Sequence, residues 1–195
     1  MKKLLITGFE PFGEEQINPS WEAVKLLPDN IAGYDIHKLL LPVTFVKAAR
    51  MVIDEADKIQ PEVIVSIGQA GGRDAITPEL VGINLRNASI PDNCGNNPID
   101  EPIILNGADA HFSTLPVRKI SNRITENGIP SKVSYSAGTY VCNDVLYTLL
   151  SHYKNTEVLV GFIHVPYCKE QNKEPYMSLE DIAKALTIAI ESIDL

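Results

Sequence analysis

Residues 62–68, Glu-Val-Ile-Val-Ser-Ile-Gly (EVIVSIG), form the most strand-like heptad of the chain, and the segments on either side of it decide the fold. Pro61 stops the preceding stretch, 44–60, where Phe45, Ala49, Val52, Ile53, Ala56 and Ile59 recur along one helical face. Toward the N-terminus, YDIHKLLLPV (34–43) is extended. NPSWEAVKLL (18–27) is a helix with Asn18 as N-cap and Pro19 at its first position, and KLLITGF (3–9) is a buried strand closed by the turn EPFG (10–13). Toward the C-terminus, residues 69–101 are rich in Gly, Asn, Asp and Pro around one short strand, ELVGINL (79–85), the pattern of a long functional loop or hairpin region. Alternation then resumes with a helix over 116–127 closed by Gly128, a strand KVSYSA (132–137), a helix from about Cys142 to residue 154 and a strand EVLVGFIHV (157–165). The last helix opens at Ser178 with Asp181 three residues on, and its apolar face carries Ile182, Leu186, Ala189, Ile190 and Ile193. Alternating strands and helices over residues 1–195 predict one domain of the α/β class, an α/β/α sandwich around a mostly parallel twisted sheet. Such folds place their sites at the carboxyl ends of the strands, where GFEPFG, GQAGGR, GTYVC and HVPY lie.

Composition narrows the function. The chain carries 17 Lys and Arg against 25 Asp and Glu, for a net charge of −8, and no basic run exceeds a pair. A nucleic-acid or anionic-membrane partner needs a concentrated basic face, so neither is expected. The opening MKKLLITGFEPFG meets a Gly/Pro turn too early for a signal peptide, and no apolar run approaches the roughly 20 residues that span a bilayer. Three scattered cysteines (Cys94, Cys142, Cys168) form neither a disulfide framework nor a CxxC metal site. A cytoplasmic protein with reduced thiols and no metal follows. GFEPFG begins like a P-loop, yet Glu14 and Glu15 stand where Lys and Ser/Thr would be needed, and GQAGGR lacks the dinucleotide spacing. No cofactor is expected.

The stretch SYSAGTYVCNDVLY (134–147) puts Cys142 in or beside the first turn of a helix. Unpaired N–H groups and the positive end of the helix dipole there favour a thiolate, lower its pKa toward neutrality, and can hold an oxyanion. A buried Cys acting as a small hydrophobe is the competing role. Of the four histidines, His37, His111 and His152 lie in a strand, a polar loop and late on a helix; His164 interrupts an apolar run at the carboxyl end of a strand, at the same end of the sheet as Cys142. A third group should orient the imidazole. Glu79 is one choice, although on its own it reads as a solvated carboxylate, and spacing leaves Asp92 and Asp100 open.

TGFEPFG, NPSWEAV, IGQAGGR, ITPE, IPDNCGNNPID, SAGTYVCN and GFIHVPY, in this order, resemble the pyroglutamyl peptidase I (pyrrolidone carboxyl peptidase) family of cysteine peptidases over nearly the whole chain. The resemblance implies an α/β/α sandwich that removes N-terminal pyroglutamate from peptides through a thioester, a homo-oligomer (tetramer or dimer), and a triad of Glu79, Cys142 and His164. It also implies an apolar slot for the lactam ring made by Phe9, Phe12, Ile90, Tyr140 and Val141, with Gln69 near the ring. Two departures stand out: Ser89 and Leu80 occupy positions where the family usually has arginine. Arg86 is a nearby cation that an extended backbone would turn to the opposite face. A phosphorylase-like nucleoside-processing enzyme on the same scaffold, which would need phosphate and survive loss of Cys142, and a weakened family member with a binding role are the alternatives.

Overall fold

The structure, a computed structural model, describes residues 2–193. Strands β1 (Lys2–Phe9), β3 (Tyr34–Leu41), β4 (Val63–Gln69) and β8 (Leu159–Val165) are parallel neighbours in the order β3-β1-β4-β8. Two short strands, β2 (Asn30–Ile31) and β5 (Thr77–Pro78), close the edges antiparallel. Because strand side chains alternate, Leu4, Ile6, Val63, Val65, Ile67, Ile163 and Val165 pack against α1 (Pro19–Leu26), α3 (Val117–Glu126) and α5 (Leu179–Glu191). Leu5, Phe9, Ile64, Val160 and Phe162 pack on the other face, against α2 (Lys47–Ile59) and α4 (Val141–His152). This is the three-layer sandwich that the alternating pattern implied. The chain leaves β1 through α1 to β3 on one side and returns through α2 to β4 on the other. Strand order therefore reverses between β1 and β4, and the loops after them part to leave a crevice.

Local chemistry sets the helix starts. Asn18 Oδ1 accepts from the Ser20 amide at 3.1 Å and its Nδ2 donates to Glu10 O at 3.0 Å, so this N-cap also anchors the turn after β1. Ser178 accepts from the Asp181 amide and caps α5. The helix expected over 44–60 starts only at Lys47, because the Asp92 carboxylate takes the Phe45 amide at 2.9 Å and Val46 sits at φ 65°. The strand expected over 132–137 does not form. Residues 131–134 instead run beside β5 through isolated bridges, Ser131 to Ile76 and Ser134 to Glu79, with the Lys132 and Ser134 amides donating to Ile76 O and Pro78 O. ELVGINL contracts to β6 (Val81–Ile83), which pairs with β7 (Ala110–Phe112) in a separate hairpin-like sheet. Among the described residues no helix is long and apolar enough to cross a membrane.

Asn18→Ala should lower stability by about 1–2 kcal/mol, through loss of the cap and of the Glu10 contact. Thermal unfolding measures this. Asn18→Asp, which keeps the acceptor, should recover part of the loss, and equal losses in both variants would show that the cap is idle.

Candidate active site

Gly68 of β4 and His164 of β8 are register partners, and partners in a parallel pair face the same side. His164 follows Val160 and Phe162 onto the face covered by α4, whose first turn stands above the carboxyl ends of the strands. A Cβ on Gly68 would lie 2.8 Å from Cys142 Sγ and 2.8 Å from the Phe162 ring. The thiol thus fills the space that a side chain at 68 would need, one strand spacing (~4.8 Å) across from the imidazole-bearing position.

The carboxylate arrives along the sheet edge. In β5 Thr77 lies opposite His164 and Pro78 opposite Ile163, and the Glu79 amide donates to Phe162 O at 2.9 Å. This register sets the Glu79 side chain on the His164 face, one pleat along. Its Oε1 lies 2.7 Å from His164 Nδ1. An ionised carboxylate only accepts, so Nδ1 carries the proton and Nε2 is left as the free acceptor. Glu79 has 0% and His164 4% solvent exposure, so the surface carboxylate read from local sequence is a buried one.

A residue to which the sequence reading gave no role completes the group. Arg73 Nη1 donates to the same Glu79 Oε1 at 2.7 Å and to Thr77 Oγ1 at 2.6 Å, while Nη2 donates to Ser136 O at 3.1 Å. Arg73 closes the GQAGGR motif, and its charge at a strand's carboxyl end was the available signal. Burial alone would raise the Glu79 pKa; the contacts from His164, Ser134 and Arg73 outweigh it and hold the group below its ordinary 4.5. Its charge therefore stabilises the fold above that pH, and the contribution is lost as pH falls through the lower folded value.

The expectation of a thiolate-favouring position is corrected. Cys142 does lie in the first turn of α4, which no side chain caps. Desolvation nevertheless dominates and, with the Glu79 charge, pushes the thiol up to about 12, against Arg73 and the Cys142 amide; this holds although the residue keeps some solvent contact. Enclosure thus works against the first-turn amides at this thiol.

Beside the thiol is a narrow cavity of about 40 Å³ lined by Phe9, Phe12, Asn18, Val43, Gln69, Tyr140, Val141 and Cys142. It lies in the crevice between β1 and β4. The structure thus gathers five of the six expected slot residues and adds Asn18 and Val43, which follow the turn after β1 and the end of β3. Ile90 is not among the lining residues and is 43% exposed, whereas Tyr140 lines the cavity and donates its hydroxyl to Pro91 O at 3.0 Å. Asp92 binds the amides of Phe45, Cys94 and Asn96, so it folds its own loop, and Asp100 is exposed. Arg86 is committed to the fully buried Asp144 at 2.6 Å rather than to the position of Ser89.

The family model described as pyroglutamyl peptidase matches residues 2–194. A pyrrolidone-carboxylate peptidase of Clostridium perfringens is 49% identical, with 99% of this chain and 93% of the relative covered. One of Lactobacillus helveticus is 46% identical, covering 97% and 98%. Among solved structures, the pyroglutamyl peptidase I from Bacillus amyloliquefaciens has a TM-score of 0.95 at 44% identity, covering 98% of this chain and 94% of that one. The pyrrolidone carboxyl peptidase from Thermococcus litoralis gives 0.95 at 38%, covering 99% and 93%.

A thiol pushed up by burial makes a prediction about its reactivity. Alkylation of Cys142 by iodoacetamide, followed by peptide mass, should climb with pH across about 7 to 10. A rate already on its plateau at pH 6 would reveal a resting thiolate.

Proposed function

This chain belongs to the pyroglutamyl peptidase family, cysteine-type hydrolases that remove an N-terminal pyroglutamate by way of an acyl-enzyme, and we propose that Cys142, His164 and Glu79 divide that reaction among them. The observation that carries the assignment is the 2.7 Å contact of Glu79 with His164 Nδ1, on a strand whose partner Gly68 makes room for the Cys142 thiol. His164 Nε2 takes the thiol proton as Sγ attacks the pyroglutamyl carbonyl carbon. The oxyanion is met by first-turn amides of α4, that of Cys142 included. His164 then protonates the departing amine, and water activated by the same nitrogen cleaves the thioester. Glu79 fixes the tautomer and stabilises the imidazolium.

The ring of pyroglutamate is flat, neutral and without an ammonium group. Phe9, Phe12, Val43, Tyr140 and Val141 supply apolar walls for it, and Gln69 and Asn18 supply polar edges. None of the eight lining residues is a carboxylate, so an ordinary charged N-terminus would enter without a counter-ion. A cytoplasmic location accords with three free thiols. A homo-oligomer, dimer or tetramer, accords with the exposed side chains of Ile99, Leu105 and Phe112.

Cys142→Ser should abolish hydrolysis of a fluorogenic pyroglutamyl amide while the unfolding transition stays normal; retained turnover above a few per cent would reject the nucleophile. Glu79→Gln should cut kcat by roughly a hundredfold or more with little change in KM, whereas a change confined to KM would make it a binding residue. Arg73→Met removes a cation that favours the Glu79 charge, so the Glu79 pKa rises and the acid limb of kcat/KM moves to higher pH. A uniform fall with an unmoved limb would give Arg73 a purely structural role.

A further inference from the structure

Gln69 ends β4 and lines the cavity, and its side-chain oxygen is already taken. Gln171 lies in a single 3₁₀ turn (Lys169–Gln171) after β9 (Tyr167–Cys168), just past the strand that carries His164. Its Nε2 donates to Gln69 Oε1 at 2.8 Å and to Glu15 Oε2 at 3.0 Å. The two ends of an amide have the same shape, so the direction of such a chain must come from partners that cannot reverse. Both ends here are of that kind. Gln171 Oε1 accepts from the Cys168 backbone N–H at 3.1 Å, and a peptide N–H only donates. At the other end is the Glu15 carboxylate, whose second oxygen is bound by Lys173. That bond holds the Glu15 carboxyl below its ordinary range despite burial, so it only accepts. Gln69 Oε1 must then be the acceptor between them.

The segment bearing Gln171 is seated firmly. Tyr167 packs onto the GQAGGR turn so closely that a Cβ on Gly71 would stand 2.2 Å from its hydroxyl, and Lys173 lies 5.3 Å over the Tyr167 ring. We infer that Gln171 is a positioning residue for substrate recognition: by occupying the Gln69 oxygen it leaves the Gln69 Nε2 hydrogens as the group offered to the cavity, a donor matched to the ring carbonyl of a lactam. The inference rests on the ring-slot reading given above. It also gives a job to Glu15, one of the two carboxylates that argued against a phosphate loop. A five-membered ring without the carbonyl, such as an N-terminal proline, desolvates that donor and leaves it unpaired.

The test is a double-mutant cycle on Gln69→Leu and Gln171→Met, with a fluorogenic pyroglutamyl amide as substrate and 2-pyrrolidone as competing lactam. Each single variant should lose about tenfold in kcat/KM, mostly through KM, and 2-pyrrolidone inhibition should weaken by a similar factor. The double variant should be no worse than the poorer single one, because Gln171 acts only through Gln69. Losses that multiply, or 2-pyrrolidone inhibition unchanged in Gln171→Met, would overturn the relay. Should Gln171→Met fail to fold, Gln171→Asn is polar but too short to reach Gln69, and the same losses are expected. If 2-pyrrolidone does not inhibit the wild-type enzyme while the amide is hydrolysed, the ring-slot reading falls and the relay with it. Inhibition of wild type that ignores Gln171 rejects the relay alone.

Discussion

A carboxylate with no contact to water, Glu79, is the constraint around which the rest of this structure is arranged. A charge so placed is tolerated only with its partners held in position, and here they come from three parts of the chain. His164 approaches from β8, Arg73 from the turn after β4, and the backbone of β5 sets the height of Glu79 itself. Only Oε1 is used, by both cations or donors, while Oε2 is buried with no hydrogen-bond partner. The short antiparallel edge strand is therefore more than a closure of the sheet. It delivers the carboxylate to the face where α4 delivers the thiol, so the sandwich and the proposed triad depend on the same register.

The arginines that the family resemblance led one to miss have a structural context. Ser89 is exposed, and Leu80 packs against the core on the α1, α3 and α5 side, away from Glu79. An arginine at 80 would begin from the opposite side of the edge. Arg73 bonds Glu79 directly, and Arg86 neutralises Asp144, whose other oxygen receives the Val46 amide at 2.8 Å. Each of these two buried acids thus has its own arginine. Both acids are therefore paired without an arginine at position 89 or 80.

Features governed by neighbours in sequence were legible before the structure. The alternation of strands and helices, the caps at Asn18 and Ser178, and Cys142 in a helix's first turn all follow from local pattern. His164 stood out for a similar reason, as one polar residue in an apolar strand. What was not legible depends on register between distant segments. Nothing local marks Thr77–Pro78 as a strand, yet its pairing with β8 buries Glu79, and its outer edge is met by residues 131–134 through isolated bridges alone. Ile90 stays off the cavity wall while Tyr140 joins it, tied to Pro91 O by a contact that crosses 49 residues. The thiol pKa misled for a related reason: the helix end is local, whereas the enclosure that overrides it is built by the whole fold.

Gly68 shows how much of the site rests on something that has been left out. The sulfur sits in space reserved by a missing methyl group, on a residue that performs no chemistry and touches no proton in transit. A family member could therefore keep Cys142, His164 and Glu79, the three side chains proposed to react, and still fall silent through the gain of one carbon at this strand position. Inventories that judge whether an enzyme of this kind is alive by counting its triad would miss such a loss. The hole beneath the Cys142 sulfur belongs in the definition of the site as much as the groups that surround it.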